Sequence, residues 1–372
     1  MTRRLHGIPL EKITRSARSV ALSLSIPMVA VLLACLVGAL ILILSGANPI
    51  EAYVALFEGA FGDASAIGRT LEKSTPLIFN GLAVAFALRA GLFNIGAQGQ
   101  LLLGALVAAV VGFSVHGVPA AIHAPLAMLA GAVAGGMYAG IKGALKTYTG
   151  AHEVITGIML NYVAINLTDY FAVGPFRDPS GASIVARTPL IVETAVLPHM
   201  GTIPLGFVLA LIVSAAVWFL LRHTTIGFEI RTVGTNTHAA RYAGMNVTRT
   251  VIMTMVLSGM LAGLGGAIET QGVVYRFQPG FNIGLGFDGI TIALLARIHP
   301  LGVIPAALLV GAMRAGASQM QFSAGVSPEI IDVIQALILF LIAADMLVRW
   351  LIRARGEADE RMALTTGWGK IG

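Results

Sequence analysis

The side chains able to do chemistry in this 372-residue chain are few, and most lie inside or beside long apolar runs. In Gly91-Leu-Phe-Asn-Ile-Gly-Ala-Gln-Gly-Gln100, Asn94, Gln98 and Gln100 sit among three glycines between two short apolar segments. Two readings fit. One is an interrupted membrane helix whose freed backbone groups line a solute path; the other is a tight cytoplasmic turn whose amides cap helix ends. A second set follows the helical repeat: Tyr162, Asn166 and Asp169 fall at i, i+4 and i+7 on one face, with Asn161 on the adjoining face. A polar stripe in a span faces the bundle interior or a water-filled path, because a carboxylate facing lipid is costly. An interhelical hydrogen-bond seam and a pathway both satisfy that condition. Glu269, Asp288, Arg314 and Asp345 are further charges in or near apolar runs. Opposite signs there are expected to pair between helices rather than touch solute.

Other chemistries lack their residues. A P-loop needs Gly-x-x-x-x-Gly-Lys-Ser/Thr, but the only Gly-Lys pair is Gly369-Lys370, followed by Ile371. His152-Glu153 is followed by Thr156 where a zinc-binding His-Glu-x-x-His needs its second histidine. The single cysteine, Cys35, cannot form an internal disulfide. No acid, base and nucleophile converge at a recognisable spacing, so transport is favoured over catalysis, with no catalytic, cofactor or metal residue expected.

The elements that must position these residues are membrane helices. The chain is 56% hydrophobic and 11% charged, with a mean hydropathy of +0.84, whereas a soluble domain carries about 25% charged residues. Apolar runs cover residues 20–44, 76–90, 95–113, 124–145, 154–173, 204–221, 251–269, 283–296, 301–320 and 330–350. The run at 76–113 reads either as one long crossing or as two joined at Arg89 to Asn94. Ten spans with a cytoplasmic N-terminus leave Arg69, Lys73, Arg177, Arg187 and Arg276 outside, Arg314 in a span, and the other 18 of 24 Lys and Arg inside. A single crossing reverses the balance to 8 inside and 14 outside. The positive-inside rule selects ten spans with both termini cytoplasmic.

The formal charge of +6 does not indicate nucleic acid, since the basic residues sit in short links between runs. Glycine pairs four residues apart, Gly131/Gly135, Gly136/Gly140 and Gly259/Gly263, mark close helix packing. Residues 1–19 read as a basic cytoplasmic N-terminus, 20–350 as one membrane unit and 351–372 as a cytoplasmic tail. Residues 45–75 and 174–203 are long external segments able to face a docking partner. The longest cytoplasmic link, 222–250, has a helix-compatible centre that Thr235 or Asn236 can cap and Gly244 can end.

Phe93-Asn-Ile-Gly-Ala-Gln-Gly-Gln100 resembles the signature of bacterial ABC-importer permeases of the branched-chain amino acid, simple sugar and nucleoside group. The likeness is strongest to nucleoside-type permeases. It extends in order through Leu71-Glu-Lys-Ser-Thr-Pro-Leu77, His152-Glu-Val-Ile-Thr-Gly-Ile-Met-Leu-Asn-Tyr162 and Gly234-Thr-Asn-Thr-His-Ala-Ala-Arg-Tyr-Ala-Gly-Met-Asn-Val247. Gly284-Leu-Gly-Phe-Asp-Gly-Ile290 and His299-Pro-Leu-Gly302 complete it. Gln98 departs from the glutamate expected of the nucleoside-type signature, which removes a charge and keeps the shape.

The resemblance implies an all-α polytopic bundle in the bacterial cytoplasmic membrane that takes nucleosides from an external binding protein. Simple sugars such as ribose are the alternative cargo, and an ion-coupled secondary transporter is the competing class. It further implies a separate ATPase subunit carrying ATP and Mg, a second homologous permease, and a periplasmic or lipoprotein solute-binding protein. Membrane lipid surrounds the chain. Within 222–250 it assigns ATPase coupling to the helix around Asn236, Ala239, Ala240, Arg241 and Gly244. Asn94, Gln98, Gln100, Asn161, Tyr162, Asn166 and Asp169 are the candidate translocation pathway.

Overall fold

A computed structural model of the chain describes residues 28–180, 186–280 and 283–343. Helices dominate; the described residues hold a single two-stranded hairpin, His199–Met200 paired with Ile203–Pro204. The expected N-terminal segment 1–19, the tail 351–372 and Asp345 lie outside these residues.

Helix α1 runs Met28–Leu44, and α2, Pro49–Phe61, is started by Asn48, whose side chain accepts from the Ile50 amide. The segment 45–75, expected as an external connector, is therefore largely helical. Helix α3 spans Ala64–Arg89, twelve residues ahead of the apolar run at Pro76. Two local features explain the longer helix. Asp63 caps it through the Ala66 amide at 2.6 Å, and Ser74 and Thr75 donate to the carbonyls of Thr70 and Leu71, stitching the turns around Pro76. Arg69, Glu72 and Lys73 lower its hydropathy enough to hide it from an apolar-run reading. From Ser74 to Ala87 every residue of α3 is buried, so this part of α3 is the central post, enclosed on all sides as a mainly apolar helical stretch is.

Helix α4, Ala97–Ser114, follows a short turn, so the run at 76–113 is two helices. Helix α5, Ala120–Ala144, ends in a π-helical turn at Leu145–Thr149 and a left-handed Gly150. Helices α4, α5 and α10 (Val247–Glu269) meet backbone to backbone. A Cβ on Gly135 would lie 2.5 Å from the Gly259 carbonyl oxygen, and one on Gly104 only 2.3 Å from that of Gly263. The four-residue glycine spacing therefore does what it does in membranes generally, letting main chains approach.

Helix α6, Glu153–Val173, packs on α4, and α7, Leu205–His223, packs on α3. The segment before α7 is not a free external loop over its second half. The amides of Thr188, Ile191, Val192 and Leu197 donate to the carbonyls of Phe277, Tyr275, Gly112 and Gln271, laying this segment across the C-terminal ends of α4 and α10. The link 222–250, expected to be cytoplasmic, contains two helices, α8 (Thr225–Thr235) and α9 (Thr237–Tyr242).

Helix α11, Leu285–Leu295, replaces the full span expected at 283–296. Eleven residues reach only about 16 Å against the ~30 Å of a bilayer core. Its start lies against α4: a Cβ on Gly286 would meet the Gln98 amide nitrogen at 2.3 Å. Helix α12, Val303–Ala324, and α13, Glu329–Ala343, complete the bundle. Asp288 and Arg314 pair between α11 and α12 at 2.6 Å, and Gln335 of α13 donates to Asp288. Five described helices, counting adjoining helical turns, are long and apolar enough to cross a membrane, and α1 and α11 are shorter apolar helices.

Candidate functional site: a buried polar hub, a short linking helix and an outward stripe

The turn between α3 and α4 needs a left-handed residue, and Gly91 supplies it at φ +69°. The turn then carries Asn94 into the bundle, where the side chain is fully buried. Asn94 and Gln100 exchange amides: Asn94 Nδ2 donates to Gln100 Oε1 at 2.8 Å and Gln100 Nε2 returns to Asn94 Oδ1 at 3.1 Å. Asn94 Nδ2 also donates to Ser258 Oγ at 2.7 Å, and Ser258 in turn donates to the Ala83 carbonyl at 2.7 Å. Lys142 of α5 reaches the same turn, with Nζ 2.9 Å from the Phe93 carbonyl oxygen and 3.4 Å from Asn94 Oδ1.

Two further helices join through the first turn of α4. Asn161 Oδ1 accepts from the Gly99 amide at 2.9 Å while its Nδ2 donates to the Ile95 carbonyl at 3.0 Å, fixing α6. Gln98 Oε1 accepts from the Gly286 amide at 2.7 Å, satisfying a free donor in the first turn of α11. Asn94, Gln98, Gln100 and Asn161 thus cluster around the start of α4 and between them tie α3, α4, α5, α6, α10 and α11. A buried network with its partners in place specifies packing. Asn94 and Gln100 bond each other, while Gln98 and Asn161 bond backbone groups in the first turns of α11 and α4, the geometry of a turn whose amides cap helix ends. Gln98 accepts a hydrogen bond here, which needs only its amide oxygen.

Sequence spacing did not single out Lys142 or Ser258. Lys142 reads in the sequence as a topology marker alone, and Ser258 sits in an apolar run with nothing to distinguish it. Burial of a lysine near a span end is a signal that composition alone cannot give.

Tyr162, Asn166 and Asp169 are not part of the hub. The buried face of α6 is Gly157, Asn161, Ala164, Thr168 and Ala172. Tyr162 is 61% exposed, Asn166 is exposed and Asp169 half-buried. Asn166 Nδ2 donates to the Tyr162 carbonyl at 2.8 Å, and Asp169 makes no hydrogen bond or ion pair with a described residue. The seven candidate pathway residues therefore divide into Asn94, Gln98, Gln100 and Asn161 in the hub and Tyr162, Asn166 and Asp169 on the exposed face of α6.

In the link between α7 and α10, Asn236 ends α8 and caps α9 through the Ala239 amide at 2.9 Å. Gly244 turns the chain at φ +80°, and the Met245 amide closes on the Ala240 carbonyl at 3.0 Å. The expected short helix is present. Ala240 is fully buried and anchors it. Asn236, Ala239, Arg241 and Gly244 are exposed, as is Tyr242, which the sequence reading did not select. The helix pair bears directly on the hub: a Cβ on Gly234 would lie 2.2 Å from the Arg89 carbonyl oxygen. The end of α8 therefore rests on the end of α3, where the hub turn begins.

The sequence matches the family of permease components of branched-chain amino acid transport systems over residues 66–343. It is 40% identical over 336 residues to the guanosine ABC transporter permease protein NupP of Bacillus subtilis (strain 168), covering 88% of this chain and 95% of that one. It is 35% identical over 333 residues to the nucleoside ABC transporter permease protein NupB of Lactococcus lactis subsp. cremoris, covering 87% and 91%. It is also 35% identical over 336 residues to the glucose ABC transporter permease protein TsgB13 of Haloferax volcanii, covering 87% and 88%.

Proposed function

The chain belongs to the permease-component family of branched-chain amino acid transport systems, and on that premise we propose that it is a transmembrane subunit of an ATP-driven nucleoside importer in a bacterial cytoplasmic membrane. The observation that carries the cargo is the 40% identity to a guanosine permease along nearly the whole of both chains. As a permease component the chain is a transport subunit, and ATP and Mg belong to a separate ATPase.

The mechanism follows from the three regions. A solute-binding protein docks externally. ATP binding by the ATPase moves the exposed side of α9, and α8 passes that movement to α3 at the Gly234–Arg89 contact. Because the hub locks α3 to five neighbours, the helices respond as a body, the kind of motion that exchanges inward for outward access. A second, homologous permease covers the outward face of α6, and solute passes along the stripe of Tyr162, Asn166 and Asp169. The burden of exposing Asn166 and Asp169 to hydrocarbon supports this placement. Ten spans with both termini cytoplasmic remain the topology the charge distribution favours.

The test is uptake of labelled guanosine with and without this gene, with excess ribose as competitor and with the proton gradient collapsed while ATP is maintained. Guanosine uptake that depends on the gene, resists ribose and survives the collapse is the expected result. Gene-dependent uptake competed by ribose would favour a sugar cargo, the reading that the 35% identity to a glucose permease supports.

A further inference from the structure

Between α7 and the α5–α10 pair lies an apolar groove of about 420 Å³, whose walls include Phe86, Met128, Leu209, Val213, Val217 and Leu220. From Leu209 to Leu220, α7 rises about 16 Å, close to the depth of one leaflet of a ~30 Å core. The side chains of this groove are apolar throughout, so neither water nor a polar solute is a suitable occupant.

The cytoplasmic end of the groove adjoins a group of cations. Arg89 follows Phe86 by three residues on α3, and Arg222 follows Leu220 by two on α7. Arg231 of α8 lies near enough to Arg89 for their charges to repel. His299, in the link before α12, has its pKa lowered by burial and then by the charges of Arg89 and Arg222. Arg89 Nε donates to the Ile298 carbonyl at 2.9 Å, Arg231 donates to the Leu221 carbonyl, and the Arg222 guanidinium stands 5.9 Å over the Trp218 ring. Among the described residues none of these four pairs with a carboxylate. Trp218 and Phe219 flank them, with ring centroids 5.2 and 5.1 Å from His223. Aromatic rings beside arginines are typical of a membrane interface.

Converging cations without a carboxylate repel one another and favour an anion, and basic pockets between helices on the cytoplasmic side suit lipid headgroups. We propose that this place binds one anionic phospholipid, its phosphate among Arg89, Arg222, Arg231 and His299 and one acyl chain in the groove. A free phosphate would leave the groove empty, and a lipid with a neutral headgroup would leave the charges unbalanced. The lipid would fill the gap between α7 and the rest of the bundle beside the α3–α8 contact.

The test uses the intact importer in detergent, stripped of lipid and then supplied with phosphatidylglycerol, phosphatidylcholine or inorganic phosphate. Native mass spectrometry reads retained lipid, and the thermal unfolding midpoint reads stabilisation. Phosphatidylglycerol is expected to be retained and to raise the midpoint, while phosphatidylcholine and phosphate do neither. The double variant Arg222→Gln, Arg231→Gln should weaken phosphatidylglycerol binding about 30-fold. Val213→Phe, which fills the groove and leaves every charge in place, should also expel the lipid. Equal retention of phosphatidylcholine, the same shift with inorganic phosphate, or undiminished phosphatidylglycerol binding by either variant would overturn the proposal. If the double variant fails to fold, Val213→Phe and the three-ligand comparison on the unaltered importer decide it.

Discussion

Helix α6 carries polar residues on two faces that do opposite things. On one face Asn161 is buried, and both ends of its amide are bonded to the start of α4. On the other, Asn166 is exposed and bonds only to its own helix, and Asp169 has no bonding partner among the described residues. A polar side chain in a membrane helix that is satisfied within its own chain builds the fold. One left unsatisfied there needs a partner or a solute to meet it. The same residue types, five positions apart, thus separate structure from transport.

The comparison breaks most severely if the hub can be loosened without consequence. Gly286→Leu would place a side chain where the Gln98 backbone already lies, 2.3 Å from the new Cβ. Neither main chain can yield, so the expected outcome is loss of folded permease, read as membrane yield and thermal midpoint; overpacking of this kind costs about 3 kcal/mol or more. Asn94→Leu comes next. It strands the Gln100 amide, which loses both of its bonds, and removes one of two partners from Ser258 and from Lys142; at roughly 1–3 kcal/mol for a stranded buried group it should cost about 2 kcal/mol in detergent unfolding.

A smaller effect on the fold with a clear effect on coupling is expected at α9. Arg241→Glu alters an exposed side chain, so stability should move by less than about 0.5 kcal/mol. Solute-stimulated ATPase activity in the assembled importer should nevertheless fall about tenfold, since charge reversal at a docking face is unfavourable. Unchanged stimulation would remove α9 from the coupling route. Ala240→Glu is the poorer probe, because Ala240 is buried and the substitution would disturb the helix itself. The mildest change is Asp169→Asn. It should leave the unfolding free energy of the isolated chain within about 0.5 kcal/mol of the original while lowering guanosine uptake by the complete importer. Stability and uptake falling together would place Asp169 with the hub.

How far these regions could be read in advance differs for physical reasons. Caps were legible: Asn236 and Gly244 bound α9 as their side-chain and backbone preferences require. So was glycine spacing, because a missing Cβ has the same meaning in any helix. The length of α3 was not, because Arg69, Glu72 and Lys73 break the apolar pattern while Asp63 caps the helix well before it. The shortness of α11 was also hidden; it depends on Gly286 meeting Gln98, a contact between residues 188 positions apart. Period alone grouped Tyr162, Asn166 and Asp169 correctly on one face. Which way that face points depends on the glycines and alanines that seat α6 against α4, and no periodicity states it.

The most direct measurement is cysteine labelling in the assembled importer, made simple because Cys35 is the only cysteine to replace. Cysteines at Asn161, Asn166 and Asp169 would be treated in turn with a small membrane-impermeant thiol reagent, with and without saturating guanosine and its binding protein. Labelling at 166 and 169 that solute or assembly suppresses, with no labelling at 161, is the predicted result. Labelling at 161, or positions 166 and 169 that stay inert under every condition, would contradict the division of α6 into a structural face and a transport face.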